Sequence, residues 1–268
     1  MKLHLITPGR CTEKFAPALF ASVLPQLGEH DCWTWIDDAS TDSSIDVARE
    51  LVDADARITI VANVERKGML DNLITVARRV AHDAITIQFD ADDVLAPEAL
   101  EKIRAAFADE NVWCAHGGVA RLGQTYRYAG PPEWPSDGPM RDGTFRLGGL
   151  RAWRAPLAKK IADVDLLVGG QRPFVGGDNL LLPIAEMAGR DRIARIESTL
   201  IFYRIYPENN FLAHGHVQTF VNWCVTTMPE YARLATLDDP PARLPHEPTH
   251  ALLITPGGKT GNFPLVRR

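Results

Sequence analysis

The chain has 268 residues, 46% of them hydrophobic, with 29 Lys+Arg against 34 Asp+Glu and a formal net charge of -5. That size and apolar content suffice for one large or two small domains with a buried core, and the slightly acidic balance excludes a broad electrostatic footprint for nucleic acid or anionic membrane. Cys11, Cys32, Cys114 and Cys224 are dispersed with no CxxC pair, so neither a zinc ribbon nor a disulfide framework is indicated. The opening "MKLHLITPGR" lacks a signal-peptide core, and no stretch approaches the ~18 apolar residues of a membrane span. The expectation is a soluble, cytoplasmic protein.

In chain order, residues 2–7 read as a buried strand stopped by Pro8 and Gly9. Residues 15–27 carry Phe15, Leu19, Val23 and Leu27 at helical spacing. A second β-α step follows, with a strand over 32–36, the polar turn "DDASTDSS" and a Ser-capped helix over 45–52. The third pairs a strand over 58–62 with a helix over 69–81. A fourth strand, "AITIQF", runs into an acidic triplet, after which Pro97 and Glu98 suit the first turn of another helix. Residues 112–116 make a fifth strand. Strands alternating with helices at this spacing imply an open, mostly parallel sheet with helices on both faces, since parallel neighbours need a crossover. Ligands in such sheets sit beyond the carboxyl ends of the strands, and "TPGR", "DDASTD" and "DADD" each follow a strand end directly. All three turns should open on one edge.

Past residue 118 the pattern becomes less regular. Gly, Pro and aromatic residues dominate up to 149, followed by helical "APLAKKIADV", the Gly-rich "VGGQRPFVGGDN", a helix over 179–188 and a last strand "STLIFYRIY". The chain therefore divides into an α/β half over 1–118, a second half of the same domain over 119–237 that supplies the far wall of a cleft, and a Pro-rich tail over 238–268.

Asp90, Asp92 and Asp93 occupy three of four consecutive positions. Two like charges ~4 Å apart repel by about 1 kcal/mol in water and about 4 kcal/mol near a protein surface, so a positive partner is required. A divalent cation held by hard carboxylate oxygens and bridging to a phosphorylated substrate meets that need. The competing reading is a solvated acidic loop capping the helix near Pro97, and it applies most to Asp93. Asp37 and Asp38 emerge from another strand end as acceptors for the donors of a nucleobase or ribose, whereas Asp42, Ser40 and Ser43 suit a turn and a helix cap.

Taken together, "LITPGRCTEKFAPALFASVLPQ", "TWIDDASTD", "NVERKGMLDNL" and "ITIQFDADDVLAPEAL" resemble, in order and spacing, the nucleotide-sugar half of family 2 glycosyltransferases, which have the GT-A fold. The resemblance covers residues 1–118 and extends more thinly to Asp178 and Tyr203. It implies that Thr7 and Pro8 begin the loop beside the nucleobase, that Asp38 or its neighbour Asp37 holds the base or ribose, and that Lys67 and Gly68 lie near the nucleoside. In the DxD element it implies that Asp90 faces the ribose or sugar with Ala91 beside it, that Asp92 coordinates Mn2+ or Mg2+ on the diphosphate, and that Asp93 adds a further contact. Arg10 and Lys67 depart from the usual family pattern and mark themselves as additional nucleotide contacts.

In the second half the resemblance carries the catalytic base to Asp178, with Gly177 where a second acid often stands; the alternative role for Asp178 is a helix N-cap. His214 or His216, in "HGHVQTF", is a candidate third contact to metal or diphosphate, His216 being the one assigned to the metal. Trp134 and Trp153 are candidates to stack on an acceptor sugar or to fill the core. The implied activity is an inverting, metal-dependent transfer of a sugar from a nucleoside-diphosphate donor, a UDP-sugar in the first instance, to a hydroxyl acceptor. The alternatives are a nucleotidyltransferase, against which stands "TPGR" in place of a Gly-rich loop, and a non-catalytic nucleotide-sugar-binding module.

Overall fold

The computed structural model of the chain describes residues 1–122, 137–138, 140–141, 147–174, 178–208, 210–245, 250–254 and 260–264. Strands β1 (Leu3–Gly9), β2 (Cys32–Asp37), β3 (Ile58–Ala62) and β4 (Ile85–Gln88) alternate with helices α1 (Ala16–Val23), α2 (Ser44–Val52) and α3 (Met69–Ala77). The four strands lie parallel in the order β3-β2-β1-β4. With neighbours on both sides and helices on both faces, β1 buries Leu3, Leu5 and Ile6 completely, which is why it reads as a continuous apolar run rather than an alternation.

The sheet then changes direction. After β5 (Val94–Leu95) and α4 (Ala99–Phe107), β6 (Cys114–Arg121) does not pair with β4. The short strand β7 (Arg151–Arg154) lies between them, antiparallel to both. β8 (Ile193–Tyr203) runs parallel to β6, and β5 closes that edge against β8, giving one eight-stranded sheet. One face is covered by α3, by α5 (Pro156–Lys159) and by α6 (Asp178–Ala188). The other is covered by α1 and α4, with Phe20 of α1 packed 4.6 Å from Trp33 of β2.

Several boundaries differ from the sequence expectation for identifiable reasons. α1 stops at Val23 and passes into a 3-10 turn over Leu24–Gln26, where Pro25 has no N–H to continue the helix. Pro97 and Glu98 stand before α4 rather than in its first turn, with Glu98 left-handed at φ 60. β6 extends five residues beyond the expected end at 116 because β8 runs alongside it as far as Arg121. "APLAKKIADV" forms only the four-residue α5 and then a 3-10 turn over Asp163–Leu166.

Several further elements were not expected at all. β7 is only four residues with arginines at both ends. α7 (Asn210–Thr226) contains Gly215 and merges two helices across a kink at His214. Within the Pro-rich tail, β9 (His250–Ile254) and β10 (Thr260–Pro264) pair as an antiparallel ribbon. A buried charged network ties this half together. Arg141 bonds Glu186 of α6 through both Nε and Nη2, and the Glu186 carboxylate also accepts from the Tyr231 N–H at 2.9 Å. Among the described residues no helix is long and apolar enough to cross a membrane.

Candidate functional site

The parallel strands β1, β2 and β4 end together, which brings the three polar turns to one edge. The first two turns are laced to each other. The backbone N–H of Cys11 donates to Ser40 Oγ at 2.8 Å, that of Thr12 to Ser44 Oγ at 2.8 Å and that of Glu13 to Asp42 at 3.3 Å, while Ser43 N–H returns a bond to Glu13 at 3.1 Å. Asp42 also accepts from the Ser44 N–H at 3.1 Å, so the turn role expected for it holds, and Ser43, although it precedes α2, makes no side-chain cap.

Within this edge Thr7 and Pro8 are not loop residues. Both are buried in β1, and the Thr7 hydroxyl accepts a bond from Trp33 Nε1 at 3.0 Å. The strand runs on to Gly9 because Asp37 of β2 pairs opposite it. Arg10, by contrast, is exposed at the strand end.

Asp37 and Asp38 are both buried, and both are engaged internally. Asp37 accepts from the backbone N–H of Ser40 at 2.9 Å and from its hydroxyl. Asp38 accepts from the backbone N–H groups of Lys67 at 2.8 Å and Gly68 at 2.9 Å and from Asn63 Nδ2 at 3.1 Å. Burial acts to raise the Asp38 pKa, but the Lys67 N–H, the Asn72 amide, the Gly68 N–H and Asn63 together hold it below the usual carboxylate range. Lys67 and Gly68 thus reach Asp38 through the backbone, and the Lys67 side chain is exposed. Gly68 is left-handed at φ 87, and a Cβ there would lie 2.8 Å from Phe174 Cα, so glycine is required on both counts.

The acidic triplet lies at the end of β4. Ala91 is buried, and a Cβ on Gly9 would come within 2.4 Å of its methyl group, so Ala91 packs the acidic turn against β1. Gln88 Nε2 donates to Asp90 at 3.3 Å, and Arg151 Nη1 of β7 donates to Gln88 Oε1 at 3.2 Å. Asp92 Oδ2 accepts from the Tyr206 hydroxyl at 2.8 Å, while Arg204 donates from Nε to the Asp92 carbonyl at 2.9 Å and from its backbone N–H to Asp93 at 3.0 Å. Burial and the neighbouring Asp90 charge push Asp92 up to about 6. Burial, then the charges of Asp92 and Asp90, push Asp93 well above its ordinary value. Burial and the Asp92 charge likewise raise the Tyr206 phenol, which stays protonated as the donor.

Part of the positive partner required by the triplet is therefore built into the chain, at Arg204 and Arg151. Sequence reasoning missed these, together with Tyr206, Gln88 and Asn63. The available signal was "YRIY" directly after an aromatic strand, since β8 runs parallel to β6 and delivers that segment near the same edge.

On the far side, α6 begins at Asp178 itself, one residue earlier than expected, which places that residue in the helix rather than at the cap. Phe174, four residues before it in sequence, is exposed. Arg66 lies over its ring at 5.1 Å and His214 meets it edge-on at 5.5 Å. His214 is thus engaged with Phe174 at the α7 kink, and His216 is exposed on the same helix. Among the described residues no three His, Cys, Asp or Glu side chains are grouped to hold a metal ion. Trp153 is buried in β7 and belongs to the core, which removes it as a stacking surface for a sugar. Trp134 lies outside the described residues.

A family profile described as glycosyl transferase family 2 matches residues 6–156. No curated protein sequence matches the chain. Among solved structures, S. aureus TarS 1-349 in complex with UDP-GlcNAc is 16% identical at a TM-score of 0.59, over 77% of this chain and 59% of that one. The Pyrobaculum calidifontis mannosyltransferase PcManGT in complex with GDP-Man and Mn2+ is 18% identical at 0.54, over 83% and 64%. Glucosyl-3-phosphoglycerate synthase from Mycobacterium tuberculosis, in complex with Mn2+, UDP-Glc and phosphoglyceric acid, is 15% identical at 0.56, over 92% and 87%. The chain spans 38% of the longer TarS chain. At these identities the likeness is one of fold, and the fold shared is the GT-A type.

Proposed function

The chain belongs to glycosyl transferase family 2, and on that premise we propose that it transfers a sugar from a nucleoside-diphosphate donor to a hydroxyl acceptor, with a divalent cation and with inversion at the anomeric carbon. The observation that carries this reading is the acidic triplet at the carboxyl end of β4, packed through Ala91 against Gly9 of β1. Carboxylate oxygens are the donor set that Mn2+ or Mg2+ prefers, and a cation would offset both the burial and the Asp90 charge that raise Asp92. Asp92 would hold the ion with Asp90 near it, the remaining ligands coming from diphosphate and water. When bound, the ion would stabilise the charge that builds on the departing diphosphate.

The chain's own groups do the rest. Asp38 shapes the nucleoside side by holding the Lys67–Gly68 backbone in place. Arg10, exposed at the end of β1, faces the solvent edge where an anionic donor would arrive. Asp178, at the start of α6, is assigned the proton of the acceptor hydroxyl, a role worth typically ~10²–10⁴ in rate. The structures with UDP-GlcNAc, UDP-Glc and GDP-Man lend support to a nucleotide-sugar donor, with a UDP-sugar the first candidate. The family match speaks against nucleotidyl transfer. Retention of nucleotide binding without any transfer would favour the binding-module alternative.

The test is a thermal-shift screen of nucleoside diphosphates and nucleotide sugars with and without Mn2+, since a ligand that binds only the folded state raises the midpoint by mass action. A rise for one nucleotide that depends on metal is expected. No rise for any nucleotide with metal present rejects the reading.

A further inference from the structure

We infer that Tyr206 is a positioning residue for Asp92 and that, through Phe15, it couples the acidic turn of β4 to the β1–α1 turn. This rests on the metal-assisted reading above and assigns a task to a residue that the reading leaves without one.

Three observations carry it. First, the Tyr206 hydroxyl donates to Asp92 Oδ2 at 2.8 Å, fixing which way the carboxylate is turned. Second, the ring of Tyr206 is itself held: it packs on Phe15 with centroids 4.7 Å apart and planes at 51°, and the Lys14 ammonium lies 5.3 Å from its centroid. Third, the preceding turn is fastened to the same acids, because Arg204 donates to the Asp92 carbonyl and the Asp93 carboxylate while its guanidinium stacks on the same Phe15 ring at 4.8 Å.

Phe15 in turn precedes α1 and is locked to the first turn by its N–H to the Thr12 carbonyl at 2.8 Å, and the Thr12 N–H is bonded to Ser44. A continuous set of contacts therefore runs from α2 through the β1–α1 turn and Phe15 to the orientation of one carboxylate. A hydrogen-bonding partner that orients a ligand carboxylate is worth about 10–100-fold in metal affinity where it has been removed elsewhere. Phenylalanine at 206 would keep the ring packing on Phe15 and remove only the bond to Asp92.

The experiment compares the parent protein with Tyr206→Phe and Phe15→Leu. Free Mn2+ is titrated by its electron paramagnetic resonance signal in the presence of UDP, and the metal-free melting temperature of each variant is measured alongside. For Tyr206→Phe the expected result is roughly tenfold weaker Mn2+ binding with the metal-free melting temperature lowered by only a few degrees. For Phe15→Leu, which keeps the hydroxyl but loosens the ring, an intermediate loss is expected. Unchanged Mn2+ affinity in Tyr206→Phe overturns the inference, as does a loss of affinity that only tracks a fall in metal-free stability. Failure of the parent protein itself to bind Mn2+ with UDP overturns the metal-assisted reading instead, and the inference with it.

Discussion

Asp38 and Asp92 are both strand-end carboxylates that burial pushes upward, yet their net shifts are opposite. Four donors around Asp38 outweigh its desolvation, whereas at Asp92 the Asp90 charge adds to it. Asp38→Ala leaves the Lys67 and Gly68 N–H groups without their acceptor and takes from Asn63 one of its two. It should cost on the order of 2–4 kcal/mol, read by urea denaturation, with proteolysis appearing first at residues 63–68. Asp92→Asn removes one of the mutually repelling charges while keeping an acceptor for Tyr206. It should raise metal-free stability by on the order of 1–2 kcal/mol and abolish the metal-dependent nucleotide shift. A variant that loses the nucleotide shift by unfolding instead would contradict this assignment. Both acids were legible as candidates because their residue type and strand-end position are local. Their partners were not, because Tyr206 and Arg204 reach Asp92 from more than a hundred positions away in sequence.

The acidic turn is an element held against β1 by shape as much as by charge. A Cβ on Gly9 would overlap the Ala91 methyl, so Gly9→Ala should displace the turn and weaken metal-dependent nucleotide binding. Ala91→Gly in the same chain should restore most of it, a coupling expected of residues in contact. Additive losses in the double variant would show that the two positions act separately. The βα repeats of the first half were readable because each strand and helix carries its own periodicity. The isolated stretch "RAWR" could not disclose β7, because four residues become a strand only when β4 and β6 offer edges on either side. The same holds for α7, whose Gly215 and kink at His214 interrupt any helical signature.

At the scale of the whole molecule, one buried ion pair and two histidines set expectations for stability. Arg141 and Glu186 are both almost fully buried and bonded to each other, so Glu186→Gln, which leaves the guanidinium without a matching charge, should cost about 3–5 kcal/mol in a denaturation experiment. Burial, aided by the charge of Lys2 in one case and of Arg195 and Arg151 in the other, lowers His4 and His116 from 6.5 to about 4. A histidine whose folded pKa is depressed binds its proton more readily when unfolded, so the stability it contributes is complete above about pH 6.5 and is lost as the pH falls toward 4. The loss should be on the order of 3 kcal/mol per histidine, and His116→Gln should flatten that part of the pH–stability curve. An unchanged curve would mean that His116 already carries its proton in the native state.

From its sequence alone this chain could be assigned an open α/β sheet and a set of acids at the carboxyl ends of its strands, since hydrophobic periodicity and turn chemistry act over a few residues. Only the tertiary structure decided that β7 divides β4 from β6, that Thr7, Pro8, Ala91 and Trp153 face the core, and that Tyr206 and Arg204 meet the acidic turn. Those outcomes depend on contacts between segments far apart in the chain, which no local pattern encodes.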